Sequence, residues 1–402
     1  MNERKHKILV VTSTFPRWHG DTEPAFVYEL CHRLLQQGFS IDILAPHASG
    51  ALTHEVMAGI NVYRYLYCWP KWEKLTYSGG ILANLKTKKL LYLLVPLFMF
   101  FQTWAIFVRL RKKQYDVVHA HSLIPQGFTC AVACRIFGNK APPVLCTSHG
   151  GDLFALQSPL LLRIKYWTIK RIKVLTVVSE YMRRYCESLS FDLDKVSVCS
   201  MGVDLYGLFK PVSNVERKNR RLLFVGRLVE KKGVSHLLDA VKQLIEDFPD
   251  VELLIAGDGP ERKTLQEKAG ILKIDAQVSF YGAVPQEQLP QLYSSAEIAV
   301  IPSIIDSQND QEGLGLVTIE AMGCGCAVVA SSLQAITEVI EDKKTGLLVE
   351  SGNVDELARA IAWLLTNTEE RNRIAKAGRE AVCGKYDWNR VAEQYRELLL
   401  SI

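Results

Sequence analysis

Two carboxylates separated by seven residues, Glu312 and Glu320, are the residues of this chain best spaced for binding chemistry. Gly313 and Gly315 follow the first carboxylate in a turn, and an apolar segment of helical character carries the second. Glycines let a backbone approach a ligand closely and leave amide N–H groups free where a helix begins. Amides bind anions, whereas carboxylates accept hydrogen bonds from hydroxyls. The pattern therefore predicts a site for a phosphate that carries a hydroxyl-rich group.

A second motif, Gly226-Arg-Leu-Val-Glu-Lys-Lys-Gly233, stands upstream at the end of an apolar strand. It places Arg227 and Lys232 five residues apart. Two fixed positive charges can hold a diphosphate and stabilise the charge that develops when a bond to it breaks. A solvated charged loop is the alternative for such a pair. The framing glycines and the downstream carboxylates favour the diphosphate site.

The elements that must position these motifs are apolar strands and amphipathic helices, which alternate from end to end as in doubly wound parallel sheets. At 402 residues the chain suits two domains. The segment Lys210–Arg220 is polar and lacks periodicity, so we interpret it as the linker. The predicted strands before it are Lys7–Thr12, Ile41–Ala45, Val117–His119, Val144–Thr147, Val174–Val178 and Val196–Ser200. Those after it are Leu222–Val225, Val251–Ala256, Val278–Tyr281, Ile298–Pro302, Ala327–Ala330 and Leu347–Val349.

Several motifs occur together in one order along nearly the whole chain. They are Asp116–His121, Thr147–Asp152, Gly202–Asp204, Gly226–Gly233, Ala256–Pro260 and the pair Glu312 and Glu320. In these motifs the chain resembles the retaining glycosyltransferases of family 4, which have the GT-B fold.

The resemblance implies two Rossmann-like doubly wound α/β domains that face each other across a cleft. Residues 1–209 would form the acceptor-side domain and residues 210–386 the domain that binds the nucleotide-sugar donor. The final helix, in residues 387–402, would cross back onto the first domain.

The same resemblance implies a hexosyltransferase that moves a sugar from a UDP- or GDP-linked donor with retention, by front-face displacement. The acceptor would be a carbohydrate or lipid-linked precursor of the cell envelope, such as an oligosaccharide, exopolysaccharide or lipopolysaccharide intermediate. A soluble transferase with a small acceptor and an inactive GT-B interaction scaffold are the alternatives. A Rossmann oxidoreductase would need G-x-G-x-x-G after the first strand, and this chain lacks it there.

By resemblance, Glu320 accepts hydrogen bonds from the ribose of the donor, and Glu312 faces the hydroxyls of the donor sugar. A helix-capping carboxylate is a compatible reading of Glu312. Arg227 and Lys232 would hold the diphosphate. The remaining donor-binding residues implied are Gly20, Gly226, Gly313, Leu314, Gly315 and Leu316.

Two histidines at strand ends are the candidates on the acceptor side. By resemblance, His121 and His149 contact the donor sugar or the acceptor. Strand alternation puts His119 and His121 on one face, unless the strand has already ended. Gly20 lies in the loop Phe15–Asp21 after the first strand, which the resemblance brings close to the diphosphate.

No metal and no cofactor are expected. No Asp-x-Asp follows a strand where it could hold Mg²⁺ or Mn²⁺, and Arg227, Lys232 and backbone amides can supply the positive charge. The ten cysteines have no framework-like spacing and no signal peptide precedes them, so we expect reduced thiols in a cytoplasmic protein.

One segment departs from the soluble pattern. Leu90–Val108 is a stretch of nineteen residues interrupted only by Pro96, Gln102 and Thr103, and nine Lys/Arg residues but one acid, Glu73, lie between Lys71 and Lys113. The charge favours an anionic membrane surface, and no nucleic-acid motif accompanies it. A membrane span is disfavoured because the strands on either side belong to one sheet. A membrane-docking helix of a peripheral protein on the inner face of the cell membrane and a buried core helix both remain.

Overall fold

The computed structural model describes residues 5–18, 20, 21, 23, 25–77, 79–307 and 311–402. The chain divides into two compact units. Unit 1 comprises the chain up to Val178, Met182–Cys199 and Ala392–Ile402, and unit 2 comprises Ser179–Tyr181 and Ser200–Val391. The predicted linker, Lys210–Arg220, contains neither helix nor strand and lies in unit 2. The domain bounds drawn from the sequence stay predictions.

Unit 1 is built on an eight-stranded sheet. Its strands are β1 (Lys7–Val11), β2 (Ser40–Pro46), β3 (His54–Met57), β4 (Ile60–Tyr65), β5 (Val117–His121), β6 (Val144–Ser148), β7 (Val174–Val177) and β8 (Val196–Val198). Their order is β3-β4-β2-β1-β5-β6-β7-β8, and every neighbouring pair is parallel except β3 with β4. All residues of β5 and β6 are buried, as expected of central parallel strands covered on both faces.

Helices cover this sheet. They are α1 (Phe26–Gln36), α2 (Gly80–Thr87), α3 (Leu94–Lys112), α4 (Phe128–Phe137), α5 (Gly151–Phe154), α6 (Pro159–Ile169) and α7 (Glu180–Ser188).

Unit 2 contains a six-stranded parallel sheet. Its strands are β9 (Arg221–Val225), β10 (Glu252–Ala256), β11 (Val278–Gly282), β12 (Ile298–Ile301), β13 (Ala327–Ser331) and β14 (Leu347–Val349), in the order β11-β10-β9-β12-β13-β14. Its helices are α8 (Val234–Asp247), α9 (Arg262–Leu272), α10 (Leu289–Ser295), α11 (Leu316–Gly323), α12 (Val354–Thr366) and α13 (Thr368–Tyr386). The last helix, α14 (Trp388–Ser401), begins in unit 2 and belongs to unit 1 from Ala392 onward.

All twelve predicted strands are present, with ends shifted by one or two residues. The sequence analysis missed the hairpin β3–β4. Buried residues alternate along the first four positions of β4, whereas β3 (His-Glu-Val-Met) does not alternate polar and apolar residues. The two strands turn through Ala58 and Gly59, both at positive φ. That turn geometry is usual for a two-residue hairpin, so the Ala-Gly pair was the available signal.

The strand orders place one switch point in each sheet. In unit 1 the chain leaves β1 for β2 on one side, and β5 pairs with β1 on the other. In unit 2 the chain runs outward from β9 to β10, and β12 pairs with β9 on the opposite side. Ligands of open α/β sheets bind beyond the carboxyl ends of the strands at such points.

The apolar segment Leu90–Val108 forms most of α3 and the short 3-10 turn before it. By length and composition, Lys89–Lys112 is the one helix of the described residues that could cross a membrane, yet only 17% of its most apolar window is buried. The alternative of a plain core helix is therefore wrong. One face of α3 is buried and the other is exposed.

All ten cysteines lie within the described ranges and are free thiols.

Candidate active site

The loop after β9 forms one side of the candidate site in unit 2. Gly226 follows β9, and Lys232 ends a short 3-10 turn that Gly233 closes before α8 begins. Gly233 has a φ of +65°, and a Cβ atom there would lie 1.8 Å from the carbonyl oxygen of Pro302. Only glycine therefore lets this loop pack against the segment that follows β12.

A backbone hydrogen bond also joins the two segments: the Ile304 amide donates to the Lys231 carbonyl over 2.8 Å. The two segments join at the switch point between β9 and β12. Lys232 is thereby held at the carboxyl end of the sheet.

Lys232 and Glu312 form an ion pair, with 2.7 Å between Nζ and Oε1. Their side chains are 14% and 11% exposed. Burial alone would raise the pKa of the Glu312 carboxyl, but the charges of Lys232 and Lys231 outweigh it and hold that pKa below its ordinary value. Glu312 is thus an anion in this site.

Arg227, on the same loop, is exposed and has no ion pair among the residues that the structure describes. Its guanidinium is available to an anionic ligand. The structure therefore places both predicted cations on one loop, with Lys232 already bound to Glu312 and Arg227 facing solvent.

The predicted helix start at Gly315 is confirmed. Gly315 has a φ of +75°, and α11 begins at Leu316. Leu314 is buried, and Gly313 and Leu316 are half-buried. The first amides of α11 follow directly after Glu312, so the donors available to an anion adjoin the ion pair in sequence.

Glu320 lies one turn into α11 and is buried. Burial raises the pKa of its carboxyl from 4.5 to about 7, although a hydrogen bond from Tyr293 and the charge of Lys232 oppose the rise. The Tyr293 hydroxyl donates to Oε2 over 3.3 Å. The sequence analysis missed Tyr293, because α10 brings it to Glu320 only through tertiary packing.

The loop Ile304–Gln311 connects the end of β12 to Glu312, and residues 308–310 lie outside the described ranges. Its described part is bonded at both ends. Ser307 donates through its backbone amide and its hydroxyl to Glu230, over 3.2 and 3.0 Å, and the side-chain Nε2 of Gln311 donates to the Tyr181 hydroxyl over 2.6 Å.

In unit 1, three histidines lie together at the carboxyl ends of β5 and β6. His119 and His121 share one face of β5, as alternation predicts, with ring centroids 4.2 Å apart. His121 Nδ1 and His149 Nε2 are 3.1 Å apart and their rings are nearly parallel. One of these nitrogens must carry the proton that the other accepts.

His119 and His121 are buried and His149 is half-buried, and the loss of hydration lowers the pKa of all three imidazoles. The pKa falls to about 3 for His119 and about 4 for His149, and lies well below its ordinary value for His121. These rings are therefore neutral at pH 7 and poor proton acceptors from a hydroxyl. They can orient a substrate through hydrogen bonds.

Two further residues shape this cluster. Phe26, at the start of α1, packs 4.7 Å from the His149 ring, measured between centroids. Asp152 accepts from the Leu123 amide and, over 2.8 Å, from the Ser148 hydroxyl, so it ties the segments that follow β5 and β6. The motif Gly150-Gly-Asp152 signalled Asp152, whereas nothing in the sequence signalled Phe26. Within the described chain, Nδ1 of His149 is buried without a hydrogen-bond partner, which favours a contact with a ligand.

Gly20 lies in the turn after β1, which an ion pair closes. The Arg17 amide and Nε each donate to Asp21 Oδ2 over 2.8 Å, and Nη2 donates to Oδ1 over 2.7 Å. Arg17 also lies over the Trp18 ring, 4.5 Å from its centroid. A side chain at Gly20 would meet no atom within 4 Å, so the backbone there is open to a ligand.

No group of three or more His, Cys, Asp or Glu side chains is arranged to hold a metal ion in the described part of the chain. Metal independence stays a prediction.

The raised pKa of Glu320 has a measurable consequence for stability. Between pH 4.5 and about 7 the folded protein holds a proton on Glu320 that the unfolded chain has lost, so this group's contribution to stability falls as pH rises through that window. Glu320→Gln removes the titration. We expect the difference in melting temperature, variant minus wild type, to increase as the pH rises from about 5 to about 8. The exposed Glu380→Gln is the control. A pH-independent difference for Glu320→Gln would contradict the raised pKa.

Two family models match consecutive parts of the chain. They are Glycosyltransferase Family 4, over residues 25–206, and Glycosyl transferases group 1, over residues 208–381. The phosphatidyl-myo-inositol mannosyltransferase of Mycobacterium leprae is 32% identical over 283 residues, covering 70% of this chain and 72% of that protein.

A second relative aligns over nearly its whole length. The GDP-mannose-dependent alpha-(1-6)-phosphatidylinositol monomannoside mannosyltransferase of Mycobacterium tuberculosis is 29% identical over 404 residues, covering 98% of each chain. Among solved structures, the sucrose-phosphate synthase of Thermosynechococcus elongatus superposes with a TM-score of 0.78 at 22% identity, covering 99% of this chain and 100% of that one. This likeness in fold confirms the GT-B class. The chain therefore belongs to the family 4 glycosyltransferases.

Proposed function

We propose that the protein transfers a sugar, with retention, from a UDP- or GDP-linked donor to a cell-envelope acceptor. The observation that carries the proposal is the ion pair between Lys232 and Glu312, which stands at the switch point of unit 2 next to the first turn of α11. A cation, free helix amides and two buried carboxylates meet there within one short stretch of structure. These groups match the diphosphate and the hydroxyls of a nucleotide sugar.

In the proposed complex, Arg227 and Lys232 contact the diphosphate, together with amides from Gly313 to Leu316. Glu320 accepts from the ribose hydroxyls, and Glu312 accepts from the donor sugar. A diphosphate that takes over Lys232 would release Glu312 from its ion pair. The carboxylate would then be free to accept from sugar hydroxyls instead.

The proposed reaction is a front-face displacement. The bond from the anomeric carbon to the diphosphate oxygen breaks, and the acceptor oxygen bonds to that carbon on the same face. The acceptor proton passes to the departing diphosphate oxygen. Lys232 and Arg227 stabilise the charge on that oxygen as it develops, whereas the neutral His121 and His149 orient the sugar or the acceptor.

The names of the relatives support a lipid-linked acceptor. Both mannosyltransferases act, by name, on phosphatidylinositol or its mannoside, and one depends on GDP-mannose. GDP-mannose is therefore the first donor to test.

A soluble transferase with a small acceptor is the second candidate. The intact site residues argue against an inactive scaffold. Action at the inner face of the cell membrane agrees with ten free thiols.

A donor screen tests the proposal directly. GDP, UDP and ADP and their sugars are compared by thermal unfolding, because a ligand that binds only the folded state raises the melting temperature. We expect one nucleotide series to stabilise the protein and its sugar to be transferred with the anomeric configuration kept. No stabilisation by any series, or a product with inverted configuration, would refute the proposed activity.

Lys232→Ala should lower kcat/KM by a factor that corresponds to a loss of about 2–4 kcal/mol of transition-state stabilisation, as expected for a group that stabilises developing charge. Lys242→Ala, on the exposed side of α8, is the matched control and should keep wild-type turnover. Lys232→Ala leaves the carboxylate of Glu312 without its partner, which can itself destabilise the protein. Arg227→Ala is therefore a second variant, because removing this exposed side chain leaves no buried charge unpaired. Near wild-type turnover in both folded variants would contradict the diphosphate assignment.

Turnover in excess EDTA should equal turnover with Mg²⁺, because side chains and helix amides supply the positive charge in the proposed complex. The measurement compares initial rates in chelator, in Mg²⁺ and in Mn²⁺. Loss of activity in EDTA that Mn²⁺ restores would show that a metal ion takes part in donor binding.

A further inference from the structure

The exposed face of α3 carries a continuous apolar stripe. We define the apolar ridge as Leu93, Leu97, Phe100, Phe101 and Trp104, which follow one another at helical spacing. Their exposed fractions run from 37% for Phe101 to 71% for Leu93. Contiguous apolar surface of this kind on a folded protein marks a binding face for a partner or a membrane.

The opposite face of α3 is fixed to the sheet of unit 1. Phe98 packs against the rings of Tyr65 and Tyr67, at 5.8 and 5.3 Å between centroids. Gln102 donates to the Tyr65 hydroxyl over 2.8 Å and accepts from the Thr129 hydroxyl over 2.7 Å. A helix held in this way to a soluble sheet lies along a surface and does not cross a bilayer.

Two tryptophans extend the apolar ridge. Trp69 and Trp72 are 82% and 62% exposed. They follow Tyr67, whose packing on Phe98 fixes the start of that segment beside α3. Tryptophan is the side chain most typical of the membrane–water interface, where its ring is partly in lipid and its N–H is in water.

Exposed cations adjoin the apolar ridge at its amino-terminal end. They are Lys71, Lys74, Lys86, Lys88 and Lys89. The one acid between Lys71 and Lys113 is Glu73, which is buried and paired with His47. Within this segment no exposed acid offsets the cations.

Two cations at the other end of α3 have internal partners. Arg109 lies over the Tyr63 ring, 3.8 Å from its centroid, and Lys113 Nζ binds Asp42 over 2.9 Å. These internal contacts make the two side chains less available to an anionic surface than the rest of the basic cluster. Arg111 and Lys112 remain exposed there.

We propose that the apolar ridge, together with Trp69 and Trp72, inserts in the plane of an anionic phospholipid bilayer, and that the flanking lysines contact lipid phosphates. In this position the apolar side chains reach the boundary of the acyl chains. A second copy of the chain is disfavoured as the occupant, because an isologous contact would bring two sets of lysines together. Since apolar burial is not screened by salt, this mode predicts binding that outlasts high ionic strength.

Flotation of the full chain with vesicles tests this mode. The vesicles contain phosphatidylcholine, with or without phosphatidylglycerol. The first variant, Phe100→Ser with Trp104→Ser, removes apolar surface, and its control is Leu160→Ser with Ile271→Ser, which alters two exposed apolar residues elsewhere. The second variant changes Lys86, Lys88 and Lys89 to Gln, and its control changes Arg111 and Lys112 to Gln.

We expect the wild type to bind the anionic vesicles and to remain partly bound at about 1 M salt, where charges are screened beyond about 3 Å. Phe100→Ser with Trp104→Ser should reduce the partition coefficient about a hundredfold, since each aromatic ring buried in the interface contributes about a factor of ten. The lysine variant should lose the preference for phosphatidylglycerol but keep its residual binding at high salt. The Leu160/Ile271 control should behave as wild type, and the Arg111/Lys112 control should lose less of the preference than the lysine variant.

Four results would overturn the proposal, the first three of which concern vesicle binding and oligomeric state. These three are equal binding by the serine variant, complete release of the wild type by salt, and dimerisation in solution that the serine variant abolishes. The fourth is a protein that stays with the membrane during alkaline carbonate extraction, because that would indicate a helix that spans the bilayer and does not lie in its plane. Nucleotide binding, measured on the same variants without vesicles, should be unchanged. Failure of the membrane mode is thereby separated from failure of the proposed transferase activity.

Discussion

The buried ion pair between Lys232 and Glu312 joins two loops that belong to neighbouring strands of one sheet. It depends on the close contact of Gly233 with the Pro302 carbonyl, which brings the loop after β9 against the segment after β12. A buried ion pair contributes little net stability, because desolvation offsets most of its attraction. Its effect is to hold a lysine at a defined place. In this protein, that place is the switch point of unit 2.

The two units meet different chemical demands with the same strand geometry. In unit 2, charged groups gather at the carboxyl ends of β9 and β12. In unit 1, the groups at the ends of β5 and β6 are three imidazoles that burial keeps neutral. A charged site suits a diphosphate, whereas neutral rings suit hydroxyls, whose protons and lone pairs they can match without a net charge.

Local sequence was sufficient for most strands and for locating the two motifs that lie together in unit 2. Buried parallel strands read as short β-branched runs, and Gly226–Gly233 and Glu312–Glu320 are each continuous in sequence. Contacts between distant segments could not be predicted in this way. The partner of Glu320, Tyr293, comes from another helix, and Phe26 reaches His149 from α1.

The orientation of α3 also required the structure. A helix that is apolar nearly all round gives no periodicity from which to choose its buried face. The buried position of Gln102 depends on Tyr65 and Thr129, which come from β4 and α4. Counting basic residues along the chain likewise could not predict that Lys113 forms an ion pair with Asp42, which lies 71 residues away in sequence.

The passage of α14 from unit 2 into unit 1 affects how the protein is made. The Tyr395 hydroxyl of α14 is 3.3 Å from the Thr147 hydroxyl and its ring packs beside His119, so a helix that follows all strands of unit 2 in the chain packs on residues of the first sheet. A ribosome adds roughly 5–20 residues per second. The first unit therefore waits some tens of seconds after its own strands have emerged before its final helix becomes available. During that interval His119 of β5 and Thr147 of β6 lack the contact that Tyr395 later provides.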